Sequence, residues 1–168
     1  MIRTALTLVL LASAAAAEDG KGGLLGRQVT FGALLYENPA APLYMGERHI
    51  ATVSDDVEFG LGPEGVQNGY DVIPAIVDVA DDRVEITYPE GVDGVFPEPE
   101  FNGYVLDFLT DCVLFRSAAV DEERNTGALL PKDVWVDGAK LYIDVGGADF
   151  RPGVVFAVTL DVIDCPIG

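Results

Sequence analysis

Apolar and polar residues alternate with a period of two along much of this chain. Val84, Ile86 and Tyr88 alternate with Glu85 and Thr87, and Leu141, Ile143 and Val145 alternate with Tyr142 and Asp144. Near the end, Val154, Phe156, Val158, Leu160 and Val162 alternate with Val155, Ala157, Thr159 and Asp161. Successive side chains of a strand point to opposite faces, so each run predicts a strand with one face on a core. Further strands are predicted over 28–36, 48–53, 57–60, 75–79, 103–109, 112–117 and 134–136, where Val, Ile, Phe, Tyr and Thr are frequent.

Turn chemistry separates these runs. Asp137-Gly138 sits between two alternating segments and predicts a hairpin, because Gly accepts positive φ. Asn68-Gly69, Asp93-Gly94 and Asn102-Gly103 are read as further turns, and 90–100, with Pro97 and Pro99, as a long loop. Helical periodicity is scarce, and only 118–126 is allowed a short helical turn. Many short strands at this spacing predict an all-β, single-domain protein, an antiparallel β-sandwich or jelly-roll-like fold.

The first residues do not belong to that pattern. Arg3 precedes a short apolar run over 5–14, and Ala15-Ala16-Ala17 supplies small residues before the polar Glu18-Asp19-Gly20. This is the pattern of a cleaved signal peptide over 1–17, its apolar run too short to span a bilayer. A flexible stretch over 18–23 and a β-domain over 24–168 follow. The expected location is exported, periplasmic or extracellular, without membrane insertion.

Charge narrows the partners. Lys plus Arg number 10 against 28 Asp plus Glu, a net charge of −18. Phosphate backbones and anionic lipid surfaces are repelled by such a chain, which disfavours nucleic acid. The two cysteines, Cys112 and Cys165, are an even count in an exported protein and are expected to form a disulfide. Closing a loop of about fifty residues contributes roughly 4 kcal/mol in the chain-entropy account.

The order of strand and turn residues also resembles a known family. Leu25-Gly26, Val29-Thr30, Tyr36 and Pro39 lead to Ala51-Thr52-Val53 and Val57-Glu58-Phe59. Phe101-Asn102-Gly103 follows, then Trp135-Val136-Asp137-Gly138, the 141–145 run, and Phe150-Arg151-Pro152-Gly153. This resembles the small β-rich domain of exported PEP-CTERM-type bacterial proteins, over most of the chain after the signal. The resemblance implies export and a β-sandwich, and brings no catalytic residues. The chain departs from that family at its end, Cys165-Pro166-Ile167-Gly168, which lacks the family's sorting tail.

Nucleophilic chemistry is thinly provided. Beyond the signal there are two serines, Ser54 and Ser117, and one histidine, His49, with no GxSxG elbow. An odd spacing puts His49 and Ser54 on opposite faces of one extended segment, so His49 reads as a half-exposed strand residue. Zinc lacks clustered His or Cys ligands. Calcium needs several oxygens, and Asp55, Asp56 and Glu58 are its candidate ligands; no other cofactor is expected. Solvated turns explain the same acidic residues. Trp135 and Tyr142, together with Phe101, Tyr104 and Tyr70, are candidates for a ligand-stacking platform if several lie on one exposed face, although aromatics in strands more often pack in cores. These features predict an exported binding or structural domain for a glycan or protein. A small carbohydrate-active hydrolase using paired carboxylates is the alternative.

Overall fold

The computed structural model describes residues 22–61, 67–68, 74–108 and 113–164. Strand dominates them: β1 (Gln28–Tyr36), β2 (Tyr44–Met45), β3 (His49–Thr52), β4 (Gly60–Leu61), β5 (Gln67–Asn68), β6 (Ile76–Ala80) and β7 (Arg83–Thr87). The remainder are β8 (Gly94–Val95), β9 (Phe101–Phe108), β10 (Val113–Val120), β11 (Val134–Asp137), β12 (Lys140–Asp144), β13 (Asp149–Phe150) and β14 (Val155–Asp164). A 3-10 turn, Pro131–Asp133, is the sole helical element among the described residues. The chain is an all-β protein, as its alternation predicts.

Two antiparallel sheets hold the core between them. The larger has the order β11-β12-β9-β1-β2, with β3 also paired to β1; the smaller has the order β10-β14-β7-β6. Short ribbons β8–β13 and β4–β5 lie outside both. Residues 53–59 carry the chain from one sheet to the other: Val53 N–H donates to Arg27 C=O (2.9 Å), and Phe59 forms an antiparallel bridge with Val77. At the opposite side Phe115 N–H donates to Gly138 C=O (3.3 Å), joining β10 to the β11–β12 turn. Both links cover backbone groups that open sheet edges would expose.

The inward faces follow the period of two. Phe31, Leu106, Leu141 and Ile143 from the larger sheet meet Val77, Ile86, Phe156 and Val158 from the smaller, all buried in one core. One end of this core is aromatic. Tyr88 packs edge-on to Phe156 (6.0 Å between ring centres), and the Tyr88 and Tyr104 hydroxyls lie 3.1 Å apart.

Two tight hairpins form, one of them at the predicted Asp137-Gly138 turn. Asp137 pairs with Lys140, leaving Gly138 and Ala139 as the loop, and Gly138 has φ +60°. Positive φ at the first loop position suits glycine in a tight hairpin. Asp81 and Asp82 form the tip between β6 and β7. Asn102-Gly103, by contrast, is no turn; it lies inside β9. Glycine is there for space, since a Cβ would collide with the Ile143 carbonyl of β12. The stretch 118–126 holds one helical turn, in which the Asn125 amide donates to the Asp121 carbonyl (2.8 Å), and no more. Its first residues extend β10, and Asp121 then caps a single turn, its Oδ1 accepting the Glu123 and Arg124 amides. The 90–100 loop contains β8, paired with β13.

The segment predicted as a signal, Gly69 of the predicted Asn68-Gly69 turn, Tyr70, Cys112 and Cys165 lie outside the described residues. Among the described residues no helix is long and apolar enough to cross a membrane.

Phe156 is fully buried between the sheets. Phe156→Ala should lower unfolding free energy by about 3–5 kcal/mol, read from the urea midpoint at unchanged slope. A loss under about 1 kcal/mol would contradict this placement of the core.

Candidate functional site

The pleat of β9 sends Tyr104 and Leu106 into the core and Phe101, Val105 and Asp107 to the outside of the larger sheet. Register carries the outer set across its neighbours. Phe101 faces Tyr36 on β1, Val105 faces Gly32 on β1 and Tyr142 on β12, and Tyr142 faces Trp135 on β11. Val134 and Val136 point inward, which forces Trp135 out.

These residues form one aromatic strip. The Trp135 and Tyr142 rings stack at 5.2 Å with 3° between their planes. Phe101 meets both edge-on, at 5.5 and 6.0 Å, and stacks on Tyr36 at 5.3 Å. Phe101 is fully buried although it points away from the core, because the other rings cover it. Trp135 remains 36% exposed. At about 4.8 Å per strand, the strip crosses roughly 15 Å of sheet from β11 to β1. Exposed Met45 and Ile50 extend the apolar surface onto β2 and β3, opposite Leu34 and Thr30. Burial pushes the Tyr142 hydroxyl above its usual range, Asp137 adds to the rise, and Arg48 opposes it.

The outer face of the smaller sheet has the usual charged coat. Arg83 pairs with Glu85 (2.7 Å), Arg124 with Glu85 (3.2 Å), and Arg116 with Asp161 (3.2 Å). On the aromatic face the described ion pair is Lys140 with Asp107, at 3.9 Å. Asp137 and Asp144 stand on the same outer side, two positions along from Trp135 and Tyr142.

The sequence candidates separate clearly. Trp135 and Tyr142 come together, and Tyr36 and Phe101 join them; Tyr104 belongs to the core. Phe101 is assigned to this side only by register, since its own segment is apolar on both faces. Asp55, Asp56 and Glu58 are not gathered into a metal-type cluster among the described residues. Asp55 and Asp56 are exposed, whereas Glu58 is buried. Its Oε2 accepts the Val79 amide (2.7 Å), and its Oε1 accepts the Ser54 amide (2.8 Å) and hydroxyl (3.2 Å). The carboxylate therefore ties the 54–58 loop to β6. Ser54 is thereby engaged with Glu58, while His49 stands half-exposed on β3, opposite Phe31.

Asp144 is also engaged by backbone. Its Oδ1 accepts the Gly146 (2.9 Å) and Asn102 (3.2 Å) amides, holding the end of β12 against β9. Asp81, Asp82 and Asp161 line a concavity of about 380 Å3 with Gly22, Leu160 and Val162, and no aromatic ring joins them there.

Comparison with family models, with curated proteins and with solved structures finds no match to this chain.

Burial raises the Glu58 carboxyl above the ordinary glutamate range, outweighing hydrogen bonds that lower it; Asp78 and Asp144 are raised for the same leading cause. A carboxyl that holds its proton more tightly when folded favours the native state at low pH. That contribution disappears as pH rises from the unfolded value through the raised folded one. The thermal midpoint should therefore rise on going from about pH 7 to about pH 5. Glu58→Gln should flatten this slope and cost about 1–3 kcal/mol at neutral pH, since one amide loses its acceptor. A pH slope left unchanged by Glu58→Gln would refute the assignment.

Proposed function

We propose that this chain is an exported, non-enzymatic domain that binds a glycan on the outer face of its larger sheet. The carrying observation is the stacked Trp135–Tyr142 pair, which opens Trp135 to solvent beside Phe101 and Tyr36. A sugar presents both groups this surface can use. Its C–H face packs on aromatic rings, and its hydroxyls donate to carboxylates such as Asp137. Long polyanions of the nucleic-acid type meet repulsion from the net charge of −18.

A binding role also fits the carboxylates better than hydrolysis does. Glycoside hydrolysis needs two carboxyl groups flanking the scissile bond. Glu58 and Asp144 have raised affinities for protons, but both direct oxygens to backbone amides of their own chain. Their chemistry is that of structural ties.

Trp135 is the chain's single tryptophan, so its fluorescence reports this surface directly. Titration with neutral and acidic oligosaccharides should change its emission saturably for at least one class. Tyr142→Ala should weaken that binding by about tenfold, the scale of one aromatic contact. An emission unaltered by every oligosaccharide would refute the reading.

Export carries the expectation of a disulfide between Cys112 and Cys165. Support comes from their chain neighbours: Val113 and Asp164 are register partners at the end of the β10–β14 pair. Mass analysis of the unreduced, secreted protein should find it two hydrogens lighter than the dithiol. Two alkylatable thiols would remove the bridge.

A further inference from the structure

Arg48 occupies an unusual position on the aromatic face. It precedes β3, and its side chain lies across Gly32 of β1 to reach β9, where Nη1 donates to the Val105 carbonyl at 3.4 Å. Glycine makes that path available: a Cβ on Gly32 would stand 3.1 Å from Arg48 Cδ. Val105 is the register partner of Tyr142, which places the guanidinium about one strand spacing from the Trp135–Tyr142 stack.

The guanidinium has no carboxylate partner among the described ion pairs, in a chain with 28 Asp and Glu. Arg83 and Arg116 of the opposite sheet, and Arg124 of the turn after β10, all have one. Arg48 is also exposed, and its single described hydrogen bond is long, so most of its N–H donors face solvent. A planar fork of N–H groups is matched best by a planar carboxylate, through two parallel charge-assisted hydrogen bonds. The aromatic stack and the fork together present a ring-binding surface and an anion-binding group on one face.

We infer that Arg48 is a specificity-determining residue that selects uronic-acid-containing glycans, the sugar ring packing on Trp135 and Tyr142 while its carboxylate meets the guanidinium. This rests on the glycan-binding reading and narrows it. Of the carboxylates on this face, Asp107 pairs with Lys140 and Asp144 accepts from backbone amides, so the fork, acting at contact distance, works against Asp137 and a net charge screened over about 8 Å at physiological salt. Short oligouronides at that ionic strength therefore suit the site better than long polyanions.

The test uses Trp135 emission with oligomers of galacturonate, mannuronate and glucuronate, each paired with its carboxyl-reduced, neutral counterpart. At least one oligouronide should bind wild type tenfold or more tightly than its reduced partner. Arg48→Gln should abolish that preference by weakening the acidic oligomer far more than its neutral partner, and Arg48→Lys should restore only part of it, since an ammonium keeps the charge without the fork. Near-UV circular dichroism of both variants should match wild type, the side chain being exposed. Equal binding of acidic and neutral partners, or a preference that survives Arg48→Gln, would overturn the role of Arg48 and leave glycan binding standing. Silence of Trp135 toward every acidic and neutral oligomer would overturn both.

Discussion

The antiparallel register of β9 between β1 and β12 is the constraint on which this molecule depends. Its eight residues pair with β1 from Phe108↔Val29 to Phe101↔Tyr36, and with β12 over Gly103–Asp107. One pleat thereby builds two surfaces. Tyr104 and Leu106 complete the core, and Phe101 and Val105 underlie the aromatic strip. A slip by one residue would exchange the two sets and put Asp107 toward the core. The close backbone approach at Gly103 and the two-residue loop at Gly138-Ala139 both resist that slip.

Polar ties then fix what the strands alone leave free. Glu58 secures the crossover between the sheets by accepting from both the 54–58 loop and β6. Asp144 does the same where β12 leaves β9, and Asp121 where β10 ends. In each case a carboxylate satisfies amides that irregular backbone would leave unpaired. Several of this acidic chain's carboxylates are thus part of its architecture, while others remain on the surface.

Much of the fold was legible because alternation reports burial directly. The predicted strand over 28–36 coincides with β1, and the 141–145 and 154–162 runs fall on β12 and β14 within a residue or two. Asn102-Gly103 misled because glycine serves two needs, positive φ in turns and close approach within sheets, and one sequence cannot separate them. The aromatic strip was half legible. Trp135 stands out against its inward-facing valine neighbours, and Tyr142 sits at the polar phase of its run. Phe101 was a candidate whose side only register decides, and Tyr36 and Arg48 join only through contacts between segments distant in the chain. Glu58 looked like part of an acidic ligand set because composition records a carboxylate but not the amides it turns toward.

The two broad sides of the sandwich are chemically unlike, and this gives the molecule a front and a back. Under the proposed glycan-binding reading, a copy lying with its rings against a polymer strand would turn the side bearing Glu85, Asp161 and their arginine partners to the medium. Neighbouring copies, each strongly anionic, would then hold one another at a distance set by dissolved salt. Such a layer would be sparse and regularly spaced in fresh water and denser in brine.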